Sequence, residues 1–165
     1  MEKEIKQNQI ESGTEMIKKQ DFQEYVIQKF QLKKQDADQY SPLVLAYMGD
    51  CVYELFIRTK VVNDGNMQVS KMHKRSAAFV KASAQAELIH LIMELLTEEE
   101  IQIYKRGRNA KSATMAKNST MAEYRTATGF EALIGYLYLS GQKERMVELI
   151  CTGLERMGGF SLLGG

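Results

Sequence analysis

Two acidic residues stand in the two most apolar stretches of the sequence. Asp50 follows Gly49 between Met48 and Cys51, and Glu131 lies within the run GFEALIGYLYL. Burying an unpaired carboxylate is costly, so each group needs a cation, a hydrogen-bond network or a proton. For either residue alone, an ion pair with a lysine or arginine, or access to solvent at a helix edge, is the simpler explanation.

Taken together, the two carboxylates indicate a metal site. Gly49 directly precedes Asp50 and Gly135 lies one turn after Glu131, so two helices that carry these residues can approach closely. Facing carboxylates from two helices form an all-oxygen site that suits Mg²⁺ or Mn²⁺. Such a metal commonly serves phosphoryl chemistry, because it activates water and neutralises charge on the phosphate.

The elements that must position these carboxylates are predicted to be helices. Ser41 is a typical N-cap and Pro42 occupies the preferred first position of the helix that continues as LVLAYMGDCVYELFIRTKVV. This helix is apolar almost all round, which predicts a central position. Residues 68–96 are predicted to form one long helix or two consecutive helices. A capping box that begins at Thr97 predicts a further helix, and two more are predicted at about 120–140 and at 142–157. Because no strand-like alternation persists, the predicted class is all-α.

The chain is predicted to contain one folded domain. Residues 1–36 are polar, and we expect them to form an arm or a peripheral helix. The folded domain is predicted to comprise residues 37–158, and residues 159–165 are expected to form a short tail. No apolar run approaches the length of a membrane span, so we expect no membrane partner. The first residues lack the apolar core of a secretory signal, and we therefore expect a cytoplasmic protein.

The near-neutral net charge conceals a basic middle. The 22 lysines and arginines almost balance the 21 aspartates and glutamates, which leaves a net charge of +1. Residues 58–125, however, contain twelve basic and seven acidic side chains, a net charge of +5. A solvated surface of mixed charge would also produce such an asymmetry, so the charge alone does not identify a partner.

Several motifs resemble those of a known family. The segment YMGDCVYEL resembles the signature of ribonuclease III enzymes, and GFEALIGYLYL is similar to that family's second acidic segment. The stretch YKRGRNAKS, followed by KNST and YR, is similar to the Mini-III branch of bacterial ribonucleases. The resemblance runs from about Tyr40 to Leu154. It implies that residues 37–158 form a helical endonuclease domain of the ribonuclease III type and that the protein is a homodimer. It also implies hydrolysis of double-stranded RNA to 5′-phosphate and 3′-hydroxyl ends.

The resemblance assigns roles to the two carboxylates. Asp50 and Glu131 match the catalytic, metal-binding acidic residues of the family, whereas Ala46 and Thr128 stand at two positions that are usually acidic. Fewer protein oxygens fit Mg²⁺, which keeps several waters in its octahedral shell. We therefore expect one Mg²⁺, with Mn²⁺ as a substitute, held by Asp50 and Glu131 partly through water. Glu54, one turn after Asp50, is expected to support the site or to lie on the helix surface.

The basic middle is the predicted RNA-binding surface. Ribonuclease III enzymes typically carry a C-terminal domain that binds double-stranded RNA, but only 34 residues follow Glu131, and the helical domain is expected to need them. Contacts to phosphates of A-form RNA are therefore expected within the catalytic domain. The candidates are Lys105, Arg106, Arg108, Lys111, Lys117 and Arg125, with a weaker cluster at His73, Lys74 and Arg75. A solvated basic helix end is the alternative for each.

The branch also implies a substrate. Mini-III enzymes mature the ends of large-subunit (23S) ribosomal RNA, so the expected substrate is a stem of that precursor, and a ribosomal protein that presents it is a further candidate partner. Two alternatives stay open. The reduced acidic set is compatible with a non-catalytic RNA-binding module of ribosome assembly on the same fold. A helical protein-interaction domain without any nucleic-acid role is the second alternative.

Overall fold

The structure, a computed structural model, describes residues 21–111 and 120–158. The chain divides into two compact units, with the boundary between Gln35 and Asp36. The described part of the first unit contains one helix, α1 (Phe22–Lys29), which begins at the N-cap Asp21 and has no buried residue. The predictions for residues 1–20, for Lys117 and for the tail at 159–165 lie outside the described residues.

The described residues of the second unit form six α-helices, and no strand occurs in the part of the chain that the structure describes. The helices are α2 (Pro42–Asn63), α3 (Val69–Val80), α4 (Ala82–Ile92), α5 (Glu98–Asn109), α6 (Met121–Leu139) and α7 (Lys143–Met157), with 3₁₀ turns at Ala37–Gln39 and Met93–Leu95. The all-α prediction is confirmed, and the segment 68–96 forms two helices and a turn. Among the helices described, none has the length and apolar character that a bilayer crossing requires.

Local capping interactions determine where the helices begin. The Ser41 hydroxyl accepts a hydrogen bond at the start of α2, as predicted. The predicted capping box of α5 is also present, since the Thr97 amide donates to Glu100 Oε2 at 2.9 Å and the Glu100 amide donates to Thr97 Oγ1 at 3.2 Å. A second capping box, between Thr120 and Glu123, begins α6. Each box satisfies two backbone amides that lack partners within the helix.

Helix α6 forms the centre of the second unit and packs against α2, α4, α5 and α7. Its fully buried residues include Phe130, whose ring meets that of Tyr53 of α2 edge to face, with centroids 5.0 Å apart. The Tyr53 hydroxyl donates to the carbonyl oxygen of Phe79 at 3.0 Å and so connects α2 to the end of α3. The apolar composition of α6 therefore reflects contact with neighbours on all sides.

Helix α2 is not buried all round, in contrast to the sequence-based expectation. Tyr47 is 80% exposed and Leu55 is 64% exposed, and Leu43, Val44 and Val62 are exposed as well. The opposite face, which includes Tyr53 and Ile57, is fully buried. The helix thus packs on α6 with one face and presents a second apolar face to solvent, which composition alone could not distinguish from burial.

Helices α2 and α6 touch backbone to backbone where Gly49 meets Gly135. A Cβ atom on Gly49 would overlap the carbonyl oxygen of Glu131 and would lie 2.8 Å from the Gly135 nitrogen. A Cβ atom on Gly135 would overlap the Leu45 carbonyl oxygen and would lie 3.0 Å from the Gly49 nitrogen. The predicted close approach of the two helices is therefore confirmed, and only glycine fits at either position.

We expect Gly49→Ala to destabilise the protein by at least about 2 kcal/mol, because the added methyl group meets backbone atoms that cannot move aside independently. In an open helix the same change would stabilise by about 1 kcal/mol, so the sign of the effect is diagnostic. Urea denaturation measures this free energy of unfolding. Cys51→Ala, at an exposed position two residues later in α2, serves as the control and should change it little. A neutral or stabilising Gly49→Ala would contradict the close contact.

Candidate active site

The contact between α2 and α6 brings Asp50 and Glu131 together. Asp50 follows Gly49, and the carbonyl oxygen of Glu131 faces that glycine. The two carboxyl groups lie within hydrogen-bonding reach of each other. Glu131 is half-buried, whereas Asp50 is exposed, so the apolar stretch around Asp50 does not bury it and solvent access, one of the explanations that the sequence left open, applies to Asp50. The pair consists of one anchored carboxylate and one that faces solvent.

Both carboxyl groups hold their protons more tightly than usual. Burial raises the pKa of Glu131 to about 8, and the charge of Asp50 contributes in the same direction. The pKa of Asp50 is raised as well, first by partial burial and then by the charge of Glu54. Two adjacent carboxylates disfavour each other's ionised form. This proximity makes the pair an attractive site for a cation.

The donor set fits a hydrated divalent cation. Within the described residues, no lysine or arginine contributes to the pKa of Asp50 or Glu131, so the two negative charges lack a cationic neighbour. The same residues contain no cluster of three or more histidine, cysteine, aspartate or glutamate side chains that would hold a metal. Two carboxylate groups suit Mg²⁺, which binds oxygen and retains much of its water.

The neighbouring positions do not add a third carboxylate to the pair. Glu54 is engaged with Arg58, since Arg58 Nη2 donates to Glu54 Oε1 at 2.6 Å. Ala46 is buried on the same helix. Thr128 is buried too, and its hydroxyl donates to the carbonyl oxygen of Tyr124 at 2.9 Å. The hydroxyl is thereby used within α6.

The basic end of α5 lies beside the segment that carries Glu131. A Cβ atom on Gly107 would lie 2.9 Å from Gly129 Cα, so α5 packs tightly on α6 two residues before Glu131. Lys105 and Arg106, which immediately precede Gly107, are exposed. The structure therefore brings two of the predicted RNA-contacting residues to a helix that borders the carboxylate segment.

The remaining candidates near this end differ in exposure. Arg108 is half-buried, and its guanidinium carbon lies 5.6 Å from the centre of the Tyr104 ring, which fixes its direction. Lys111 and Arg125 are exposed. Lys117 is among the residues that the structure does not describe. The exposed members can meet a polyanion, whereas Arg108 also supports the packing of α5.

The second basic cluster occupies a different helix. His73 and Lys74 are exposed on α3, which packs against α2 and α4. Arg75 Nη2 donates to Asp64 Oδ2 at 3.1 Å, so this arginine also has an internal partner at the end of α2. His73 and Lys74 therefore face solvent, whereas Arg75 also links α3 to the end of α2.

One buried polar residue beside the site escaped sequence reasoning. Gln85 of α4 is only 2% exposed, and its side chain hydrogen-bonds to Glu131. The only available signal was a lone amide in the otherwise apolar run ASAQAELIHLI. Buried amides normally have hydrogen-bond partners, so such a residue in a core helix indicates a polar neighbour.

An apolar groove of about 580 Å³ lies on another face of the second unit, between α2, α6 and α7. Its lining is dominated by apolar and aromatic side chains, which include Val52, Leu55, Phe56, Tyr138, Met146 and Val147. Leu55 and Val147 are exposed. An accessible apolar surface of this kind on a folded protein is typical of an association surface.

Comparison with known proteins relates these features to a family. The model of the ribonuclease III domain family matches residues 43–142. A Mini-ribonuclease 3 of Clostridium tetani is 52% identical over 118 residues, which cover 71% of this chain and 78% of the relative. A Mini-ribonuclease 3 of Enterococcus faecalis is 48% identical over 74% of this chain and 95% of the relative. A crystal structure of a Fusobacterium nucleatum protein matches with a TM-score of 0.67 and 32% identity, over 74% of this chain and 98% of the other.

Proposed function

The chain belongs to the Mini-ribonuclease 3 branch of the ribonuclease III family, and we propose that it cleaves double-stranded RNA at a divalent-metal site held by Asp50 and Glu131. Membership in the family makes it an endoribonuclease of the ribonuclease III type. One observation carries the assignment of the site: the two carboxylates face each other across the glycine contact between α2 and α6.

The two carboxylates have different parts in the proposed reaction. Glu131 is held by the core and anchors the site, whereas Asp50 faces the solvent side from which RNA approaches. Both must be ionised to hold a cation, so binding releases the proton that the pair retains. When bound, Mg²⁺ or Mn²⁺ supplies an activated water and neutralises charge on the scissile phosphate. The chain itself orients these oxygens through the rigid packing of α2 on α6.

The exposed basic residues at the end of α5 are the proposed RNA contacts closest to the site. Lys105 and Arg106 precede Gly107, where α5 packs against the Glu131 segment. Cations there attract phosphates whatever the base sequence, and A-form RNA is recognised mainly by shape and backbone. Further proposed contacts are Arg108, Lys111, Lys117 and Arg125, together with His73 and Lys74 on α3.

A second copy of the chain is the proposed occupant of the apolar groove. Tyr47 and Leu55 lie two turns apart on the exposed face of α2, and Leu55 also lines the groove. One copy can therefore insert apolar side chains of α2 into the groove of another and receive the same contact in return. Such a self-complementary arrangement is what a two-fold dimer requires.

The proposed substrate is a stem of precursor large-subunit (23S) ribosomal RNA in the cytoplasm, with a ribosomal protein as a candidate for its presentation. Support comes from the Mini-ribonuclease 3 branch, to which the relatives belong. The competing candidate is a non-catalytic RNA-binding module, which the non-acidic residues Ala46 and Thr128 keep open. A scaffold binds RNA without cutting it, so a cleavage assay separates the two.

We expect Asp50→Asn to abolish Mg²⁺-dependent cleavage of duplex and precursor ribosomal RNA while binding stays largely intact, because the change removes one ligand charge and little volume. Cleavage by gel analysis and binding by filter retention measure the two effects. Asp38→Asn, at an exposed position outside the site, is the matched control and should cleave like the wild type. Undiminished cleavage by Asp50→Asn would overturn the assignment, and a wild type that binds without cutting would favour the scaffold.

The double variant Lys105→Gln, Arg106→Gln should bind duplex RNA more weakly and with a shallower dependence on salt. Each lost phosphate contact reduces the slope of log K against log [salt] by about 1, so the expected reduction is up to about 2. Lys33→Gln with Lys34→Gln, which removes the same charge from the first unit, is the control. Equal salt slopes for the two double variants would refute a local RNA contact at α5.

Leu55→Asp should convert the protein from dimer to monomer, because a charge is placed in the apolar groove without disturbing the buried face of α2. Analytical ultracentrifugation measures the mass directly. Val69→Asp is the matched control, since Val69 is 65% exposed on α3, away from the groove residues. A monomeric wild type, or a Leu55→Asp variant that remains dimeric, would rule out the proposed interface.

A further inference from the structure

Gln85 is held in one orientation at the junction of three helices. It lies near the start of α4 and is 2% exposed. Its Nε2 donates to the carbonyl oxygen of Val80, the last residue of α3, at 2.8 Å. Because this bond and the surrounding core fix the amide, the side chain has little freedom to seek other partners.

The same amide borders the carboxylate pair. A hydrogen bond from Gln85 favours the ionised form of Glu131 and acts against the burial that raises the pKa of that glutamate. The amide group therefore lies between the end of α3 and the Glu131 side chain of α6.

The second polar atom of this amide has no partner in the described part of the chain. Gln85 Oε1 is buried and is the one such side-chain atom found there. Exchanging the amide oxygen and nitrogen does not solve the problem, because the Val80 carbonyl oxygen would then face another acceptor instead of the Nε2 donor. An unsatisfied buried acceptor costs about 1–3 kcal/mol, so a donor that reached Oε1 would stabilise this arrangement.

We propose that Gln85 is a positioning residue of the metal site, in which Nε2 orients Glu131 and Oε1 accepts a hydrogen bond from water that accompanies the divalent cation. This inference rests on the proposed function, since it requires a cation at Asp50 and Glu131. The donor that Oε1 lacks is what a hydrated cation brings, because Mg²⁺ retains several of its waters. Groups that hold metal ligands from behind contribute strongly to metal affinity.

The test is the affinity of the metal-free protein for Mg²⁺, measured from the rise in melting temperature across a Mg²⁺ titration. Gln85→Met preserves size but removes both polar atoms, and we expect the apparent Kd for Mg²⁺ to rise about ten-fold or more. Tyr53→Phe is the matched control, because it removes a buried hydrogen bond to the same end of α3, at Phe79, without touching Glu131. It should lower the melting temperature and leave the Mg²⁺ affinity unchanged.

A second variant tests the inference from the opposite direction. Gln85→Glu places a third carboxylate beside the pair, so the metal-free protein should melt lower than the wild type and gain more melting temperature from Mg²⁺. If neither Gln85 variant changes the response to Mg²⁺ more than Tyr53→Phe does, the inference is overturned. A wild type that does not respond to Mg²⁺, or a response that survives in Asp50→Asn, would instead overturn the proposed metal site itself.

Discussion

The backbone contact between Gly49 and Gly135 is the constraint on which the arrangement of the second unit depends. It allows α2 and α6 to approach until the carbonyl oxygen of Glu131 faces Gly49. Side chains adjacent to such a contact must lie close together, and here they are the carboxylates of Asp50 and Glu131. The same approach lets the Tyr53 and Phe130 rings meet in the core. Fold and candidate site therefore share one physical cause.

The electrostatics of the site follow from that proximity. Burial and the adjacent carboxylates, with no cationic neighbour for the pair in the described part of the chain, favour protonation and raise the pKa of Glu131 and of Asp50. A divalent cation would replace the retained proton and relieve the repulsion, so a site that is unfavourable alone becomes favourable when loaded. The buried amide of Gln85, which hydrogen-bonds to Glu131, has one atom without a partner among the described residues, as the proposed role of Gln85 requires.

The sequence predicted the features that depend on local chemistry. The caps at Ser41 and Thr97 and the glycines beside the two carboxylates could be identified because each follows from residue type and spacing. The exposed apolar face of α2 could not be predicted, since apolar residues are typical both of a buried helix face and of an exposed association surface. Gln85 was missed for a similar reason: a single amide in an apolar helix has no spacing that predicts which distant carboxylate it meets.

Crystals soaked in Mn²⁺ offer the most direct test of the central claim, because the anomalous scattering of manganese locates the ion without reference to activity. The account predicts one strong anomalous peak between the carboxylates of Asp50 and Glu131, on the solvent side of the glycine contact, and its loss in Asp50→Asn crystals. A peak elsewhere in the second unit, or none at this pair at saturating Mn²⁺, would contradict the claim that the approach of α2 and α6 builds the metal site.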